Sequence, residues 1–113
     1  FNTNSPTATV DINGDLKVGS TGAIIQSMLS AAATLNFPDT ASGSSADLTI
    51  TVTGAADGDV VSIGTPAASV PAGACTFRGW VSAADTVTIR FSNYSGGNLD
   101  PASGSFRAMV TKF

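Results

Sequence analysis

The stretch CTFRGWVSAADTVTIRFSN, Cys75 to Asn93, decides the fold class. Cys75, Phe77, Gly79 and Val81 alternate with Thr76, Arg78, Trp80 and Ser82. After SAAD, Val87, Ile89 and Phe91 alternate with Thr86, Thr88, Arg90 and Ser92. Strict alternation marks half-buried strands, and a short polar break between two such runs marks a hairpin. Closing it with Val81 opposite Val87 sets Gly79 against Ile89 and Phe77 against Phe91 on the core face. An aromatic pair there is worth about 0.5–1.5 kcal/mol beyond its buried area. The same register sets Arg78 directly opposite Arg90 on the outer face, with Trp80 beside Thr88. Like charges so placed destabilise a sheet. They are tolerated where a carboxylate, an aromatic face or an anionic ligand lies between them.

Further alternating runs lie on either side. Leu29, Ala31, Ala33, Leu35 and Phe37 share one face up to Pro38. Leu48, Ile50 and Val52 alternate with threonines up to Gly54. Val60, Val61 and Ile63 form a short run, and Phe106, Ala108 and Val110 form the last. Clusters of Gly, Pro, Asn, Asp and Ser separate the runs. The pattern predicts an all-β protein, an antiparallel sandwich of about six to eight strands. TGAIIQSMLS (21–30) also fits one helical face, but the alternation continuing from Leu29 favours a strand. VDINGDLKV (10–18) signals a hairpin around Asn13-Gly14. A three-residue loop, Asn13–Asp15, keeps Ile12 opposite Leu16, Val10 opposite Val18 and Asp11 opposite Lys17. The alternative loop, Ile12–Gly14, sets Asp11 against Asp15. Either ribbon is marginal alone and is expected to pack on other chains or to continue a stalk.

Composition excludes several classes of function. The 113-residue chain is 42% hydrophobic and 12% charged, with a net charge of −3, so one packed domain is expected. The acidic balance argues against nucleic acid, which requires a basic stripe. No apolar run nears the roughly 20 residues of a membrane span. The chain has no His and no Glu, which removes the commonest general base and most metal-site designs. No enzyme, cofactor or metal is expected. DTASG (39–43) vaguely resembles an aspartic-protease loop but lacks a matched second aspartate. DGD (57–59) offers oxygen ligands, yet reads better as a turn with Gly58 at positive φ. Cys75, the single cysteine, reads as a small buried hydrophobe. The start at Phe1 without Met is read as a fragment or a processed product.

Two clusters remain as binding candidates. Arg78, Trp80 and Arg90 point outward and suit a subunit interface or, as the alternative, an anionic-glycan platform. In SNYSGGNLDPASGSFR (92–107), the tip residues Asn93, Tyr94 and Asn98 suit receptor binding, and LDPASGSFR suits a corner that returns Phe106 to the core. NYS (93–95) also matches a glycosylation sequon.

The motifs TLNFP (34–38), LTITVTGAADGDVV (48–61), WVSAADTVTIRFSN (80–93) and DPASGSFR (100–107), in that order, resemble a C-terminal domain of bacteriophage and prophage tail-fibre and related virion proteins. The resemblance covers about residues 29–113, and VDINGDLKVGSTGAI looks like the segment joining a fibre shaft to its head. It implies a jelly-roll-like β-sandwich knob (29–113) after a connector (1–28), assembled as a homotrimer on the virion, outside the cell. It implies non-enzymatic attachment to a host-surface polysaccharide or protein. A capsid decoration or head-fibre knob is the alternative. No catalytic residue carries over.

Overall fold

The computed structural model describes Val10 and residues 12–113. It is all-β: eight antiparallel strands in three sheets, with one 3-10 turn at Ala67–Ser69. The strands are β1 (Leu16–Lys17), β2 (Ile24–Ile25), β3 (Ser27–Leu35), β4 (Ser45–Thr51), β5 (Val60–Gly64), β6 (Cys75–Ala83), β7 (Thr86–Asn93) and β8 (Gly104–Lys112). Six of them match the six alternating runs. They form two three-stranded sheets, ordered β3-β8-β5 and β4-β7-β6.

The two sheets enclose one core. Ile50, Val87, Ile89 and Phe91 from one sheet meet Leu35, Phe106, Ala108 and Val110 from the other, all buried. Four phenylalanines knit the layers together. Phe77 and Phe91 lie side by side with ring centroids 5.0 Å apart. Phe106 stands 5.4 Å from Phe77, and Phe37, which follows β3, makes edge contacts at 5.5 Å with both Phe77 and Phe106.

The β6–β7 hairpin has the register its alternation predicts. Phe77 faces Phe91, Arg78 faces Arg90, Gly79 faces Ile89, Trp80 faces Thr88 and Val81 faces Val87. An irregularity between Val81 and Ala83 absorbs the odd residue. Asp85 then takes a left-handed backbone, φ 60°, a conformation that Asp tolerates better than most side chains. Its carboxylate accepts the Gly54 N–H at 2.7 Å, tying the hairpin turn to the end of β4. Gly79 makes room for Ile63. A Cβ there would come within 2.6 Å of Ile63 Cδ1, so the missing side chain lets β5 approach β6.

DGD is a turn, with Gly58 at φ 86°. The Asp59 carboxylate accepts the Ala56 N–H and pairs with Lys112, which leaves it committed to closing this edge of the fold. In DPASGSFR, Pro101 and Phe106 are buried. Gly104 is needed for close approach, since a Cβ would meet Ser69 Oγ at 2.5 Å and Pro66 Cγ at 2.8 Å. Cys75 is only half-buried, its Sγ 3.9 Å from the Pro71 carbonyl. The apolar alternation places it on the core face, but at the end of β6 the opposite sheet no longer covers it fully.

The N-terminal segment pairs otherwise than its Asn-Gly signal predicts. Leu16 faces Ile25 and Lys17 faces Ile24, so the expected Leu16–Ile12 pairing is corrected. The β-branched Ile24-Ile25 pair leads almost directly into β3 and offers Leu16 a better extended partner. The expected Asp11–Lys17 contact lies outside the described residues. β3 itself begins at Ser27, and Ser27 and Met28 pair with Lys112 and Thr111.

Candidate functional site

The outer face of β4-β7-β6 is built in rows. Asp47 on β4, Arg90 on β7 and Arg78 on β6 occupy one row, and Thr49, Thr88 and Trp80 the next. The first row resolves the arginine conflict. Arg90 donates from Nε to Asp47 Oδ1 at 2.7 Å and from Nη2 to Oδ2 at 2.8 Å, a two-pronged fit between planar groups. Trp80 supplies the rest. The Arg78 guanidinium carbon lies 4.8 Å, and that of Arg90 5.0 Å, from the centroid of its ring. Each contact is favourable because the ring's negative face meets a positive charge. A carboxylate and an aromatic face, two of the three arrangements that make opposed arginines tolerable, are therefore present.

The electrostatics follow. The hydrogen bond from Arg90, and then the charges of Arg90 and Arg78, hold the Asp47 carboxyl below its ordinary range. Arg90 is raised for the reciprocal reason, chiefly by its hydrogen bond to Asp47. Arg78 is exposed and makes no ion pair among the described residues.

The loop after β7 is more tightly held than its glycines suggest. Asn93 is fully buried. Its amide nitrogen donates to the carbonyls of Thr40 and Gly97, both at 2.8 Å. Its carbonyl oxygen accepts the Ser95 N–H at 2.8 Å and the Ser95 hydroxyl at 2.7 Å. All the side chain's polar atoms are thus used internally, and Asn93 is corrected from a receptor contact to the brace of the loop. For the same reason its nitrogen is not accessible as a glycosylation acceptor. Main-chain bonds between Gly43 and Asn93 and between Asn93 and Ser44 bind this loop to the one connecting β3 and β4.

This bracing brings the two candidate clusters together. Tyr94, 68% exposed, stands over a cleft of about 250 Å³ whose walls include Ser44, Ser45, Arg78, Arg90 and Ser92. Asn98 does not line it. Its amide instead donates to Asp39 Oδ2 at 3.2 Å. Trp80 underlies the guanidiniums and does not itself form the wall. Sequence reasoning found Arg78, Arg90 and Tyr94 but treated them as separate features. It missed Ser44, Ser45 and Asp47. Asp47 carried a usable signal, because it points outward between the inward Ala46 and Leu48, but its partner lies 43 residues away.

With this geometry in view, comparison with known proteins gives no assignment: no family model, no curated protein and no solved structure matches the chain.

Proposed function

We propose that this chain is a non-enzymatic attachment domain at the tip of a phage fibre, a homotrimeric knob that binds a glycan on the host surface. The observation that carries the reading is the cleft in which an exposed Tyr94, the arginines 78 and 90 and the serine hydroxyls converge. An aromatic face beside fixed polar donors is the chemistry of sugar recognition: the ring covers the apolar face of a pyranose, and the donors fix its hydroxyls.

The strand order supports a jelly-roll-like knob. β3, β4 and β5 alternate between the two sheets, the β6–β7 hairpin fills the second, and β8 returns between β3 and β5. An eight-stranded jelly roll lacking two consecutive strands would wind in this order. The reading as a fibre domain rests on the order of motifs described above. The exposed apolar side chains of the N-terminal segment suit self-association, and the number three comes from the fibre resemblance. Three copies on one axis would turn three weak cleft contacts into avidity.

The test is binding of fluorescently labelled protein to a panel of bacterial cells. Saturable binding to a susceptible strain is expected. Tyr94→Ala should weaken it while leaving the melting temperature nearly unchanged, because the side chain is mostly solvated. A sharp fall in melting temperature would instead make Tyr94 a packing residue and remove it from the site.

A further inference from the structure

We infer that the cleft takes an anionic saccharide, with a carboxylate, sulfate or phosphate substituent seated on Arg78 and an adjoining sugar face against Tyr94. The inference rests on the glycan-attachment reading and specifies its ligand.

Charge is the first argument. The chain has 8 acidic and 5 basic residues, yet two of those five bases line this one cleft and no carboxylate does. Asp47 offsets Arg90 through both of its oxygens, so the row carries one uncompensated positive charge, and it belongs to Arg78. A guanidinium is a planar fork of donors that matches an oxyanion in two-pronged fashion.

Preorganisation is the second argument. Arg78 rests on the Trp80 ring, which also carries Arg90. With Arg90 already paired to Asp47, the Arg78 guanidinium is the one left to meet an oxyanion. The ring contact restrains Arg78 in part and reduces the side-chain freedom lost on binding.

The surface of the cleft is complementary to a charged sugar. Ser44, Ser45 and Tyr94 line the cleft together with Arg78. At about 250 Å³ the cleft falls below the roughly 300–1,000 Å³ of pockets that enclose drug-sized ligands. It would therefore hold one charged sugar residue and leave the rest of a polysaccharide outside. Repeating acidic units would then present one residue to each copy of the domain.

The experiment is a microbial glycan array that carries carboxylated, sulfated, phosphorylated and neutral saccharides, probed with the whole chain at low and high salt. Binding is expected to concentrate on acidic members and to weaken as salt rises. The three acidic classes identify which oxyanion is used. Arg78→Gln should weaken acidic binding about tenfold or more, the loss expected for a hydrogen bond to a charged group. Ser45→Glu puts a carboxylate into the cleft without touching the Arg78–Trp80 stack, and should remove acidic binding while leaving the thermal melt intact. Binding confined to neutral glycans, or acidic binding undiminished in both variants, overturns the anionic assignment and leaves glycan attachment standing. Binding to no glycan at all overturns both.

Discussion

At the scale of single residues, Asn93 shows how a polar side chain beside a candidate site can be structural. Its four hydrogen bonds hold Thr40, Ser95 and Gly97 in one arrangement and thereby aim Tyr94 at the cleft. Truncation removes all four: the Ser95 N–H loses its side-chain acceptor, while the Thr40 and Gly97 carbonyls keep only the Leu99 N–H and the Ser95 hydroxyl. Asn93→Ala is accordingly expected to lower stability by about 1–3 kcal/mol, read from urea denaturation, and to weaken attachment as a consequence of misplacing Tyr94. Tyr94→Ala should do the reverse, affecting attachment and not stability. The contrast between these neighbours separates bracing from contact. The sequence marks both as plausible contacts, because a loop asparagine looks the same whether its amide faces solvent or backbone.

At the scale of strands, the hairpin register was legible because alternation and a short connection determine it locally. Phe77–Phe91 and Arg78–Arg90 follow from it directly. The Asp47–Arg90 pairing was not legible, since nothing in either strand's own pattern says that β4 lies beside β7. That pairing and the Asp59–Lys112 bridge also set the acid response. Asp47 is held below the ordinary carboxyl value of 3.8 first by its hydrogen bond from Arg90, and Asp59 first by its hydrogen bond from Lys112. A lowered folded value means that the stabilisation is fully present above the unfolded value and is lost as pH falls through the folded one. Neither His nor Glu occurs in the chain. The melting temperature is therefore expected to stay nearly flat from about pH 5 to 8 and to fall below about pH 4. A transition near pH 6 in a melting series would contradict this. The size of the acid loss is modest, because both pairs are partly solvated surface contacts.

At the scale of the whole molecule, the sandwich and the N-terminal segment differ in how they are stabilised. The sandwich buries its aromatic and β-branched residues between two sheets. The segment before it leaves Ile12, Leu16, Val18 and Ile24 exposed, Leu16 and Ile24 on a two-stranded ribbon of the kind that is marginal by itself. Such apolar side chains are costly in water, and in the trimer proposed above other copies of the chain would cover them. Light scattering at micromolar concentration is expected to give three times the 11.2 kDa chain mass. A monomer at every concentration would remove the trimer and, with it, the avidity on which weak clefts depend.

The amino-acid sequence alone determined the all-β class, the six alternating strands and the inner and outer faces of the β6–β7 hairpin. These depend on a period of two residues and on turn chemistry, both written locally in the chain. It also exposed the arginine conflict, since opposed positions in a hairpin are a matter of counting. Only the tertiary structure decided that Asp47 and Trp80 resolve that conflict, that Asn93 faces inward, and that the loop at 43–45 meets Tyr94 over a cleft. Those outcomes depend on which strands become neighbours across long loops. The summed packing of two sheets around one core governs that choice, and no single residue pattern encodes it.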